Sequence, residues 1–410
     1  MKLWIKNGRV LNPADGTDNV RDIFIEDGVF TDTPGGEILD ATGLVVAPGL
    51  VDIHCHLRDP GFTHKEDVES GTRSAAKGGF TSIACMPNTR PPIDNPELVR
   101  ELKNRPASVH VYPIAAITRG MQGTELTDFL ALRDAGAVAV SDDGLPVTSA
   151  ARMREALLAA QEAGLAVVSH CEEPTLGAGV IHDGAVAREL GVAGITPAAE
   201  EIMVAREIVL ASTTGAPVHI AHVSTRGSVA MIRDAKRRGI RVTCETCPHY
   251  FSLTEEACRT RDANTKMNPP LRTRDDLEAI IEGLQDGTID AIATDHAPHT
   301  PEEKRDFERA PNGILGFETA LAVGITCLVK PGYLTLLELI RRMTENPARI
   351  FHLPAGEIKP GAPADLVLFD PDAIWMVREE EIASKSRNTP YLGRELQGRV
   401  IKTIVDGKTV

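Results

Sequence analysis

A (β/α)8 barrel carrying a small β domain built from both ends of the chain is the fold this sequence predicts, on three observations. Eight apolar, strand-like runs alternate with amphipathic helical stretches through the middle of the 410 residues, the pattern of a parallel sheet with helices packed outside it. Short β-like pieces separated by turns fill the first 48 residues, and the same character returns near the end. No Gly-x-Gly-x-x-Gly follows an early strand, so a closed barrel fits better than an open doubly wound sheet. The expected division is 1–48 and 351–410 for the two parts of the β domain, and 49–350 for the barrel.

The first part offers strands at Leu3 to Ile5, Asp22 to Glu26 and Leu44 to Ala47, with a turn at Asn12-Pro13-Ala14-Asp15-Gly16. Their counterparts at the far end are Ala364 to Phe369 and Val400 to Gly407. The eight central runs are Leu50 to His56, Thr81 to Met86, Val109 to Ala115, Ala137 to Ser141, Ala166 to His170, Pro217 to His222, Ile240 to Thr246 and Ile289 to Asp295. Among the helices, Leu277, Ile280, Ile281 and Leu284 recur at i, i+3, i+4, i+7, with Thr273 placed to cap the start and Gly287 to stop the end. Met153, Leu157 and Ala160 stripe another, closed by Gly164.

Composition narrows the class of function. A formal net charge of -14, from 58 acidic against 44 basic residues, argues against a nucleic-acid or anionic-membrane surface, so an anionic substrate must meet a few local cations. The seven cysteines are odd in number and scattered, and neither a signal peptide nor a long apolar run is visible; the expected setting is a reducing cytoplasm. Cys244 and Cys247 form the one Cys-x-x-Cys, without a second pair or a thioredoxin-like context, and read as ordinary barrel-strand residues.

Barrel enzymes carry their catalytic groups at the carboxyl ends of the strands. Here the first run ends in His54 and His56, which alternation places on one face with Cys55 on the other. The fourth runs into Asp142 and Asp143, the fifth ends in His170, the sixth in His222 and the eighth in Asp295. Each alone has a bland reading as a turn former, a helix cap or a hydrogen-bonded core histidine. Together, at predicted strand ends of one barrel, they point to a metal.

Four segments then show a resemblance. His54-Cys55-His56-Leu57-Arg58, Met86-Pro87-Asn88-Thr89, Lys266-Met267-Asn268-Pro269-Pro270-Leu271-Arg272 and Ala293-Thr294-Asp295-His296-Ala297-Pro298-His299 resemble the dihydroorotases of the bacterial class I type, within the amidohydrolase superfamily, and the similarity spans nearly the whole length. The resemblance implies a zinc site of two ions, with His54, His56 and Asp295 on the first, His170 and His222 on the second, and Asp143 bridging. Many relatives bridge with a carbamylated lysine, but residues 137–144 contain no lysine, so a carboxylate bridge is implied. The implied chemistry is attack of a zinc-generated hydroxide on the cyclic amide of dihydroorotate, Asp295 moving the proton to the departing nitrogen, to give N-carbamoyl-aspartate in pyrimidine biosynthesis.

The same resemblance assigns the substrate carboxylate to Arg58, Asn88 and His299, and the amide edges of the ring to Asn268 and the backbone at Asn312 and Gly313. Arg58, just beyond a strand end, suits two parallel bonds to a carboxylate. The charged segment Thr300 to Glu308 reads as a solvated loop or a lid. Two alternatives stay open: a hydantoinase or allantoinase, and a silent homologue retained as a structural partner of aspartate transcarbamoylase. Association with that transcarbamoylase, and of the chain with itself, are expectations of the family.

Overall fold

The computed structural model describes residues 2–410. Eight parallel strands form one sheet, numbered here in chain order: β1 (Leu50–Cys55), β2 (Phe80–Cys85), β3 (His110–Ala115), β4 (Ala139–Val140), β5 (Ala166–Ser169), β6 (Val218–Ile220), β7 (Val242–Thr246) and β8 (Ala291–Ile292). Each pairs with the next in sequence. Closure between β8 and β1 comes from residues just past the strand ends, where the Asp295 amide donates to the His54 carbonyl at 2.9 Å and the His56 amide to the His296 carbonyl at 2.8 Å. All eight predicted runs are strands, several of them shorter than the apolar run suggests.

At least one helix follows each strand, two after β5 and three after β8, in the β-α-β succession of a parallel sheet. The helix Arg274–Asp286 begins at Thr273, whose side chain and that of Asp276 cap each other's backbone, and ends at Gly287 with φ 79°. The helix Ala150–Ala163 buries Met153, Leu157 and Ala160, and stops at Gly164 with φ 70°. Both glycines occupy the left-handed conformation that other residues adopt only with strain.

Two apolar layers result. Leu50, Cys55, Ile83, Val140, Val167, Ile220 and Ile292 face outward under the helices. Inside the barrel, Val51, Ile53, Ala84, Ile114, Ala139, Val168 and Ala291 pack down onto Phe351 and Leu353, which plug the end away from the strand termini. The many alanines leave width in the barrel for the polar layer above them.

The chain ends meet. Val45–Pro48 pairs antiparallel with Leu366–Phe369 and in parallel with Arg9–Val10, in a six-stranded sheet that also holds Glu395–Val405. A four-stranded sheet from Lys2–Lys6, Ile23–Glu26, Val29–Thr31 and Glu37–Asp40 completes this part. Thr17–Val20 and Glu37–Asp40 are strands that the sequence pattern does not announce, because their side chains are mostly exposed and polar.

Candidate metal centre and substrate pocket

His54 and His56 both reach the upper mouth of the barrel, their rings 5.6 Å apart, while Cys55 turns outward and bonds the Ala84 carbonyl. His56, His170, His222 and Asp295 lie one to three residues beyond the last ladder residue of their strands. The backbone turns sharply there: Arg58 (φ 60°), His222 (φ 35°) and Asp295 (φ 47°) all hold positive φ, a strain that folds tolerate where side chains must be aimed.

The nitrogen and oxygen atoms converge. The ligand atoms of His54, His56 and Asp295 all lie within 4.8 Å of one another, as do those of His54, Asp143 and His222. Asp143 Oδ1 is 3.4 Å from His54 Nε2, 3.5 Å from His170 Nδ1 and 3.7 Å from His222 Nε2, and its Oδ2 is 3.6 Å from His56 Nε2. Asp143 thus stands between the two groups of histidines. His170 turns its Nδ1 to His222 Nε2 at 2.8 Å.

Two atoms test whether a cation fits. His54 Nε2 and Asp143 Oδ1, 3.4 Å apart, are both buried without any hydrogen-bond partner, an arrangement that costs on the order of 1–3 kcal/mol per atom unless something else satisfies it. Imidazole nitrogen and carboxylate oxygen in this proportion suit zinc and similar divalent ions. Burial pushes the carboxyls of Asp143 and Asp295 up, but the surrounding histidines outweigh it and hold both well below the usual carboxylate range. Both are therefore anionic acceptors.

Beside this centre lies a pocket of about 200 Å³, lined among others by His56, Arg58, Asn88, Asp143, His170, His222, Asn268, Asp295, His299, Asn312 and Gly313. Of the predicted site residues only His54 is absent from its wall, being buried behind the others. One corner is cationic. Burial brings the Arg58 guanidinium down to about 10, still charged near neutrality; its Nε donates to the Pro298 carbonyl at 3.2 Å. His299 Nε2 donates to the Asn312 carbonyl at 2.9 Å. Burial, together with Arg58, Lys65 and Lys304, holds this imidazole well below its ordinary value, so it is neutral.

Gly313 closes the same corner at φ 132°, and a Cβ there would lie 2.6 Å from the Ala297 Cβ. The segment 300–308 is a loop exposed at Pro301, Glu302, Arg305, Asp306 and Glu308 and anchored by the buried Lys304 and Phe307. Lys304 Nζ donates to the Pro311 carbonyl at 2.8 Å, and Glu303 pairs with Lys65 at 2.8 Å.

Several contributors escaped sequence reasoning. Glu245 of β7 is fully buried and accepts from His54 Nδ1 at 2.7 Å; its mixed run Val242-Thr243-Cys244-Glu245-Thr246 carries no signal of that role. Glu172 accepts from His170 Nε2 at 3.0 Å and from Asn268 Nδ2 at 2.9 Å. Asn88 Oδ1 accepts from His56 Nδ1 at 2.9 Å, so Asn88 orients a histidine as well as lining the pocket. Cys244 and Cys247 are both free thiols.

Comparisons with known proteins point to one family. Residues 43–228 match the family described as Dihydro-orotase-like, and residues 260–410 match the Amidohydrolase family. The whole chain aligns at 51% identity with 98% of a protein named dihydroorotase from Acetivibrio thermocellus, and at 52% with 98% of one from Pelotomaculum thermopropionicum. Another of that name, from Geobacter metallireducens, is 51% identical over all of this chain and 99% of its own length. Among solved structures, an L-hydantoinase (dihydropyrimidinase) from Arthrobacter aurescens superposes with a TM-score of 0.90 at 27% identity, over 100% of this chain and 95% of that one. A dihydropyrimidinase from Brevibacillus agri gives 0.87 at 25%, with the same coverages.

Proposed function

Because this chain belongs to the dihydroorotase family of the amidohydrolase superfamily, as full-length identity of about half to named members shows, we propose that it interconverts L-dihydroorotate and N-carbamoyl-L-aspartate in de novo pyrimidine biosynthesis, with zinc as its metal. The carrying observation is that one pocket joins a donor set for cations to a corner holding the Arg58 guanidinium. His54, His56 and Asp295 would hold one ion, His170 and His222 the other, with Asp143 between them. Bound there, the ions would supply Lewis acidity, polarising the scissile carbonyl and making water acidic enough to act as a nucleophile near neutral pH.

The chain's own groups do the rest. Asp295, anionic and 3.1 Å from His56 Nε2, takes the proton of the attacking water and delivers it to the ring nitrogen as the amide C–N bond breaks. The carbonyl carbon becomes a carboxylate, the water's second proton passing to solvent, and the nitrogen becomes a ureido NH2; ring closure is the same path reversed. Arg58, with Asn88 and the neutral His299, binds the ring carboxylate. Asn268 and the backbone at Asn312 and Gly313 meet the amide edges.

A hydantoinase is the second reading, favoured by the names of the solved neighbours. Arg58 in the pocket and the absence of lysine from residues 137–144 support the carboxylate-bearing substrate instead. The deciding experiment is hydrolysis of dihydroorotate by zinc-replete protein with metal quantified per chain. Turnover of hydantoin or allantoin with none of dihydroorotate overturns the assignment. A metal-free, inactive chain that co-elutes with aspartate transcarbamoylase would be the silent partner; activity confined to that complex would make the transcarbamoylase a required partner. The same chromatography reads self-association.

A further inference from the structure

A hydrogen-bonded chain runs beneath the metal centre across the barrel interior, from Thr243 through His219 to Glu245 and on to His54. His219 Nδ1 lies 2.8 Å from Thr243 Oγ1, and His219 Nε2 lies 3.1 Å from Glu245 Oε2. Glu245 Oε1 lies 2.7 Å from His54 Nδ1. Glu245 and His54 are 0% exposed and His219 is 1% exposed, so the two bonds to Glu245 are shielded from water, while Thr243 at the far end of the chain is half-buried.

The strands explain why the chain exists. Thr243 and Glu245 are two residues apart on β7 and share its inward face, and Thr243 is paired in register with His219 of β6. His54 belongs to β1, which is not a neighbour of β7, since β8 lies between them. The glutamate therefore spans the interior rather than bonding along the sheet. Below it, the edge of the His219 ring packs against Phe351, ring centres 6.1 Å apart, which closes that side with an apolar wall.

Bond direction follows from chemistry. An ionised carboxylate only accepts, so both ring nitrogens that face Glu245 carry hydrogen. His54 then has its proton on Nδ1, and its Nε2 is the bare nitrogen. That Nε2 is the buried atom left without a partner beside Asp143 and Asp295. We propose that Thr243, His219 and Glu245 are positioning residues for the metal: they fix the ring angle and tautomer of His54 so that its lone pair faces the cation. The inference rests on His54 being a metal ligand, as in the proposed function, and adds residues that never touch the metal or the substrate.

Metal binding alone tests it. The full-length apoprotein is titrated with Co2+, followed by its visible absorption, and with Zn2+ against a chromophoric chelator. Glu245→Gln is expected to weaken binding by about 10–100-fold, the usual effect of removing a group that orients a ligand. His219→Gln shifts affinity in the same direction, and Thr243→Val does so by a smaller factor that Thr243→Ser restores. Imidazole 15N shifts, assigned by difference against His54→Gln, are expected to show a single tautomer for His54 in the parent and a mixture in Glu245→Gln.

Thr243→Val guards against a variant that fails to fold, because it removes one hydroxyl at nearly constant volume. Folded variants whose metal affinity stays within about twofold of the parent, with unchanged 15N shifts, overturn the proposal. A parent that binds metal and does not hydrolyse dihydroorotate removes the assigned reaction and leaves this inference standing. A parent that binds no metal removes both.

Discussion

The backbone amide of Asp295 donates to the carbonyl of His54 at 2.9 Å. One of the two hydrogen bonds that join the last barrel strand to the first therefore also ties the backbone of the proposed proton carrier to that of the most deeply buried of the proposed metal ligands. Closure of the barrel and assembly of the site are one event, and substitutions at either residue separate cleanly into side-chain and backbone effects.

Replacing the Asp295 carboxylate by an amide keeps that backbone bond and removes the base. Asp295→Asn is expected to lower kcat by at least the roughly 10²–10⁴-fold attributed to positioned general acid–base groups, while substrate analogues still bind. Steady-state kinetics alongside calorimetric titration of an analogue checks it; near-normal turnover removes Asp295 from the role.

Arg58→Lys retains charge and loses the planar fork. Since bonds to a charged group contribute about 1.5–3 kcal/mol, kcat/KM for dihydroorotate should fall by one to two orders of magnitude. An unchanged specificity constant would refute two-point recognition of the carboxylate.

Gly313 occupies φ 132°, and an added Cβ would lie 2.6 Å from the Ala297 Cβ and 2.9 Å from the Ala297 carbonyl oxygen. Gly313→Ala should cost about 1–3 kcal/mol of stability and raise KM more than it lowers kcat, because it disturbs a wall of the pocket and no group assigned a proton. Urea unfolding and steady-state kinetics read the two effects separately.

At the other end of β3, His110 Nε2 lies 3.1 Å from Asp365 Oδ2 and 3.7 Å from Asp406 Oδ1. Its hydrogen bond to Asp365 holds the imidazole above its ordinary value, against the opposing effect of burial. A raised folded value means that the contribution is fully present below the unfolded value of about 6.5 and is lost as pH rises through the folded one. The stability difference between parent and His110→Gln should be larger near pH 5.5 than near pH 8.5, by at most about 1 kcal/mol for so partly exposed a pair. Denaturant unfolding at the two pH values decides; an equal or reversed difference would show that the pair contributes nothing.

Metal removal should act on both levels. Dialysis against a chelator is expected to abolish hydrolysis and lower the melting temperature, because the ions bind only the folded chain. Zinc should restore both, as calorimetry and activity would show.

What the sequence made legible follows physical range. Thr273, Leu277 and Gly287 announce their helix because capping and amphipathic spacing are local, and His54 with His56 announce a site because two residues on one strand share a face. Glu245 was hidden because its partner His54 is 191 positions away, and nothing local separates a shared hydrogen-bond acceptor from a misplaced charge. The edges of β8 were misjudged for a related reason. Its apolar run continues past Ile292, but the backbone leaves the ladder to aim Asp295, a turn that hydrophobicity does not record. Thr17–Val20 became a strand through pairing with Arg9–Asn12 rather than through any pattern of its own.

The split sheet gives the molecule a timetable. Val46 lies opposite Leu368, so during synthesis an early strand waits, one edge open, until the entire barrel has emerged from the ribosome. Local βα units can form as they appear, whereas this long-range pairing is by its topology the late step. Until it forms, the waiting strand is the nascent chain's exposure to misassembly. The strands Leu366–Met376 and Glu395–Val405 act as the molecule's clasp, and deleting them would be felt first as aggregation of newly made protein rather than as a slower enzyme.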